Sequence, residues 1–151
     1  LGVVDCAPRY SNKFERTLFR VVPSRLTKPY MRVMKRFRKR HPKRSYVGLA
    51  DFENNLRSYY ERCESLGSTV YSISIAPPTS NFQDQSPHIG QEINRYNSMY
   101  RQVVNEFDNV KFLNPYAEVD DIDSIMVDFE HPNARGNHII ADYVKQKIRS
   151  K

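Results

Sequence analysis

Apolar residues recur along this chain at helical spacing in some stretches and at strand spacing in others, and the two kinds alternate. Residues 1–5 read as a first strand. Val70, Ile73 and Ile75 mark residues 69–76 as a second, stopped by Pro77-Pro78 because proline can neither donate to a ladder nor continue it. Residues 110–113, Val-Lys-Phe-Leu, supply a third. Between them, Phe52, Leu56, Tyr60 and Cys63 share one helical face that runs from Asp51, the expected N-cap, to Gly67, which closes the helix. Ser86-Pro87 is expected to open the next helix, whose stripe of Ile89, Ile93, Tyr96, Tyr100, Val103 and Phe107 is the best marked in the chain. Tyr96 and Tyr100 belong to that stripe and are assigned to the core rather than to a ligand-stacking surface. A loop is expected through Gln85, and an acidic connection over residues 116–126. A closing helix over residues 134–148 carries Ile140, Val144 and Ile148 on one side and should pack on the sheet beside the first helix. Strand and helix in this order predict an α/β fold with a parallel sheet.

Composition changes this picture at one place. The 151 residues suit one domain, 39% of them are apolar, and no apolar run approaches the ~20 residues of a membrane-spanning helix. Cys6 and Cys63 are far apart in apolar surroundings, which predicts reduced, buried thiols and a cytoplasmic protein. The net charge is +7, but residues 16–44 hold twelve Lys or Arg and no acid, leaving a balance of −5 elsewhere. The basicity is thus confined to an insertion at about residues 16–46. Within it, Tyr30, Val33, Met34 and Phe37 fall at helical spacing among Arg36, Arg38, Lys39 and Arg40, which describes a basic amphipathic helix. Three roles fit it: a solvated insertion whose stripe docks on the domain, a helix lying on an anionic membrane surface, or a site for acidic polysaccharide or nucleic acid. No RNA- or DNA-binding motif accompanies it, and no specific nucleic acid is expected as a partner.

The densest chemistry is Asp128-Phe129-Glu130-His131-Pro132-Asn133-Ala134-Arg135-Gly136. A carboxylate three residues before a histidine can curl back, fix the tautomer of the ring and stabilise its protonated form. Such a pair is the base half of a hydrolase, although an Asp-x-x-His can also merely cap the following helix. The segment resembles the last block of the SGNH/GDSL hydrolases, Asp-x-x-His-Pro-Asn-x-x-Gly followed by an apolar-faced helix. The resemblance implies that His131 is the general base and that Asp128 orients it. Leu1-Gly2-Val3-Val4-Asp5-Cys6-Ala7-Pro8-Arg9 is similar to the family's third block, a strand ending in Gly-x-Asn-Asp, with Gly2 and Asp5 in place. Val4 stands where the family has an oxyanion-binding Asn and has no donor to offer. Versions of this block reading Gly-x-Val-Asp-Cys-x-Pro-Arg are associated with surface-polysaccharide loci, which points to an acetylated saccharide.

The resemblance implies a flavodoxin-like three-layer sandwich and an ester hydrolase acting by serine acyl transfer on a small ester, with no cofactor and no metal. The nucleophile block, Gly-Asp-Ser, belongs ahead of Gly2 and is not in this sequence, so the chain is expected to be the C-terminal part of a longer hydrolase. Leu66-Gly67-Ser68-Thr69 comes after the third block and is assigned to a helix C-cap turn. Ligands of open parallel sheets sit beyond the carboxyl ends of the strands, so three loops should meet on one rim. These carry Cys6 and Arg9, then Thr79, Ser80 and Asn81, then Asp128 and His131. Arg9 is a candidate for an anionic substrate group and Asn81 for the missing oxyanion donor. Asp120, Asp121 and Asp123 lack the glycine and distal Glu of a calcium loop and are assigned to a solvated acidic turn. The competing class is a catalytically inactive hydrolase-like module that binds through the basic insertion.

Overall fold

The computed structural model describes residues 6, 7, 17, 23–40, 45 and 47–150. The strand expected over residues 1–5 therefore lies outside the described residues. Helix α1 (Ser24–Arg40) is the basic helix and begins earlier than its densest cationic stretch. It accommodates Pro29 in its second turn, where the missing N–H leaves the Arg25 carbonyl without its usual donor. Helix α2 (Leu49–Ser65) is followed by strand β1 (Val70–Ile73), the short helix α3 (Ser80–Gln85), helix α4 (Ile89–Val104) and strand β2 (Val110–Leu113). A 3-10 turn (Asp123–Ile125) and helix α5 (Ala134–Arg149) complete the order.

The chain is mixed α/β, and β1 and β2 are parallel neighbours in the register Val70↔Val110 to Ile73↔Leu113. The helices between them form the crossover that a parallel pair requires. Gly67 ends α2 as expected. Its φ of 64° is the left-handed conformation that glycine adopts at no steric cost, and the N–H of Ser68 reaches back to the Cys63 carbonyl at 2.9 Å. At its other end α2 starts two residues ahead of Asp51, with Gly48 as N-cap. Leu49 packs against the core, and Asp51 sits in the first turn, where a carboxylate favours the helix dipole.

The main core lies between the sheet and the pair α2 and α4. Phe52, Leu56 and Tyr60 meet Ile89, Ile93, Tyr96, Tyr100 and Val103, all buried. Phe52 meets Tyr96 edge-on at 5.0 Å, and Tyr100 meets Phe112 of β2 at 5.5 Å. The hydroxyls entering this core are partnered: Tyr60 Oη lies 2.7 Å from Ser72 Oγ, and Tyr96 Oη lies 2.7 Å from Ser45 Oγ. Burial pushes both phenols above their ordinary range, so they stay neutral core groups. Cys6 is fully buried in this cluster, whereas Cys63 is only partly buried, against expectation, because it lies in the last turn of α2, where the stripe ends.

A smaller set of buried residues, Leu113, Ile125 and Met126, lies outside that cluster. Helix α5 docks here, on the 3-10 turn, and its one buried position is Gly136. Ile140 and Val144 are half-buried and Ile148 is 47% exposed, so the apolar stripe expected to pack on the sheet beside α2 is only partly covered.

Candidate functional site

The loop that carries Asp128 and His131 is closed at its base by a few backbone bonds. Met126 and Pro132 form an isolated antiparallel bridge, with the Val127 N–H donating to the His131 carbonyl (2.8 Å) and the Asn133 N–H to the Ile125 carbonyl (2.9 Å). Inside this closure the Asp128 carboxylate turns back on its own loop. Its Oδ1 accepts from the N–H groups of Glu130 (2.7 Å) and His131 (2.8 Å), and its Oδ2 lies 2.9 Å from His131 Nδ1. Two backbone donors thus fix the carboxylate before it meets the imidazole.

The rest of the block serves the helix that follows. Asn133 caps α5 by accepting from the Gly136 N–H (2.9 Å), and its amide donates to the Ser124 carbonyl (2.9 Å). Gly136 lies against the 3-10 turn so closely that a Cβ there would fall 2.3 Å from the Ile125 carbonyl oxygen. Asp and His form the chemical pair, and Asn and Gly hold the loop to the helix.

The pair is open to solvent, His131 at 70% and Asp128 at 46% side-chain exposure. Asp128 is held down at about 2, first by the hydrogen bond from His131 and then by the two backbone donors. The His131 pKa is raised, chiefly by the same bond to Asp128. The tautomer with its proton on Nδ1 directs that proton at Asp128 and leaves the Nε2 lone pair facing outward, where it can take a proton from a nucleophile or a water. A second histidine pair, His138 Nε2 to Asp142 Oδ2 at 3.0 Å, lies along one exposed face of α5 with no loop closed around it.

The loop after β1 comes to the same place. Expected as irregular through Gln85, it contains α3, whose six residues are too few to show a period. Thr79, expected on the rim, is buried and spent as the N-cap of α3, accepting from the Phe82 N–H at 3.3 Å. The Ser80 N–H donates to both carboxylate oxygens of Asp123 (3.1 Å each), and its hydroxyl donates to Asp123 as well. Asp123 is therefore a tie between two loops rather than part of a merely solvated turn. The Phe82 ring stacks at 4.7 Å on Phe129, the residue after Asp128. Asn81, next to Phe82, is exposed; its carbonyl accepts from Gln85 Nε2 (3.1 Å), which leaves its NH2 end free to donate. Gly2, Asp5 and Arg9 lie outside the described residues. Arg36, Arg38, Lys39 and Arg40 all fall in α1, with Arg36 exposed.

One feature had no single-residue signal in the sequence. Beyond the carboxyl ends of β1 and β2 lies a cleft of about 460 Å³, bordered by Pro77, Pro78, Asn94, Arg101 and Asn114. Its wall is set by Asn97, whose amide clips the Ile75 backbone through two hydrogen bonds, Ile75 N–H to Oδ1 (2.8 Å) and Nδ2 to the Ile75 carbonyl (2.9 Å). The Arg101 guanidinium lies over Phe112, 4.9 Å from the ring centre. Amides beside one guanidinium suit a hydroxylated or anionic ligand group. Helix α3 borders this cleft through Gln83 and touches the Asp128 loop through Phe82, so one short helix links the two. Compared with family models, with curated proteins and with solved structures, the chain matches none.

Proposed function

We propose that Asp128 and His131 are the base half of an SGNH-type serine ester hydrolase, and that β1 and β2 belong to a flavodoxin-like three-layer sandwich. The observation that carries this reading is the closed loop in which Asp128, fixed by two backbone N–H groups, holds His131 Nδ1 at 2.9 Å. In the proposed reaction a serine from a Gly-Asp-Ser block upstream of Gly2 attacks the ester carbonyl while His131 Nε2 takes its hydroxyl proton. Collapse of the tetrahedral species breaks the ester C–O bond, and the same proton passes from Nε2 to the departing alcohol. Water then attacks the acyl-enzyme with His131 again as base, releasing the acid and restoring the serine. Asp128 faces the imidazolium formed in each half. The amide-lined cleft bordered by α3 supports an O-acetylated saccharide as the substrate, with Arg101 and Asn94 toward its hydroxyl or acidic groups.

The test is hydrolysis of a chromogenic acetate ester by the protein that includes its upstream serine block. His131→Ala should lower kcat by at least about 100-fold, the usual contribution of a positioned base. A wild-type rate in that variant would remove the assignment. A reading frame with no Gly-Asp-Ser ahead of Gly2 would favour the inactive, hydrolase-like binding module instead.

A further inference from the structure

We infer that α1 is an interfacial anchor that lays the protein on a membrane surface rich in anionic lipid, a role independent of the ester chemistry. Its 17 residues contain eight Lys or Arg and no acid. By helical spacing Leu26, Tyr30, Val33, Met34 and Phe37 fall along one arc, while Arg25, Lys28, Arg32, Lys35, Arg36 and Lys39 fall on the opposite one. The helix is strongly amphipathic yet polar on average, the combination of helices that lie in an interface rather than cross it. Among the described residues no helix is long and apolar enough to cross a membrane.

The structure weighs on how the apolar arc is used. If it docked on the domain, Tyr30 near its centre and Val33 at its edge would be covered, but Tyr30 is 44% exposed and Val33 67%. No described side chain of α1 enters the main core. A branched apolar residue held in water beside a row of cations suits an occupant that offers negative charge and apolar depth together. A lipid headgroup layer offers both; a sulfated or phosphorylated polymer offers only the charge. Because the residues outside 16–44 are net acidic, the attraction is confined to this basic stretch and sets the orientation of the protein on the surface.

The experiment is co-sedimentation of the full chain with vesicles of phosphatidylcholine alone and of phosphatidylcholine with phosphatidylserine. Binding should require the anionic lipid and weaken with salt. Replacing four cations together (R36Q/R38Q/K39Q/R40Q) should weaken it by roughly two to three orders of magnitude, from the usual contribution of each basic residue near such a surface. V33D, which leaves all eight cations in place, should weaken it by roughly tenfold or more if the arc is immersed. The chain contains no Trp, so V33W provides a single-site probe whose emission should shift to the blue on vesicles. No sedimentation with anionic vesicles at low salt would overturn the proposal. So would unshifted V33W emission together with unchanged V33D binding, the pattern of a purely electrostatic site, which heparin would then occupy equally well.

Discussion

At His131 one oxygen pair decides both the protonation and the orientation of the ring. The bond to Asp128 raises the His131 pKa and holds Asp128 at about 2, and the signs give a pH window. The raised histidine contributes stability that is complete below its unfolded value of about 6.5 and is lost as pH climbs through the folded one. The depressed aspartate contributes above its unfolded value of about 3.9 and is lost as pH falls towards about 2. The pair is therefore strongest between about pH 4 and 6.5, and weak throughout because both groups face water. An NMR titration should place the His131 midpoint above about 6.5, and Asp128→Asn should bring it down. A midpoint unmoved by that substitution would mean the carboxylate does not hold the ring. The spacing of Asp128 and His131 made this contact legible in the sequence. The two N–H groups that aim the carboxylate were not, because backbone donors leave no mark in side-chain identity.

Among the elements, long ones were legible and short ones were not. The stripe from Ile89 to Val103 is buried as its spacing demands, because four turns of helix repeat the pattern often enough to fix a face. Phe107 lies past the end of α4 yet still reaches Tyr60 at 5.5 Å, so it joins the core without being helical. Helix α3 spans under two turns and is set by contacts distant in sequence, Asp123 with Ser80 and Phe129 with Phe82. The junction of the 3-10 turn with α5 is where one element can be tested. Gly136→Ala would drive a Cβ into the Ile125 carbonyl, which as backbone cannot swing aside, and should cost about 1–3 kcal/mol in urea unfolding. Asn133→Ala should cost about 1 kcal/mol through loss of the cap. If Gly136→Ala melted like the parent, the tight approach of α5 to the turn would be wrong.

Over the whole molecule, burial is unequal between the main core and the region where α5 docks on the 3-10 turn. Hydrophobic patterning foretold an apolar face on α5 that would pack beside α2, but a pattern reports which face is apolar and not how completely a partner covers it. On the α2 and α4 side, Ile93 is 1% exposed among aromatic rings. At α5, Ile140 is half-buried and Ile148 is about half exposed. Ile93→Ala should therefore cost about 2–5 kcal/mol, since the closely packed core cannot collapse around the lost atoms. Ile140→Ala should cost about 1 kcal/mol or less, because solvent already reaches its side chain. The amide protons of α5 should likewise exchange with solvent faster than those of α4, as the less buried helix opens locally without unfolding the core. Equal losses in the two alanine variants would show that both faces are equally packed. A large gap would show that the His131 loop, joined to α5 through Asn133 and Gly136, is carried on the looser part of the protein, where the base of the proposed reaction has room to move.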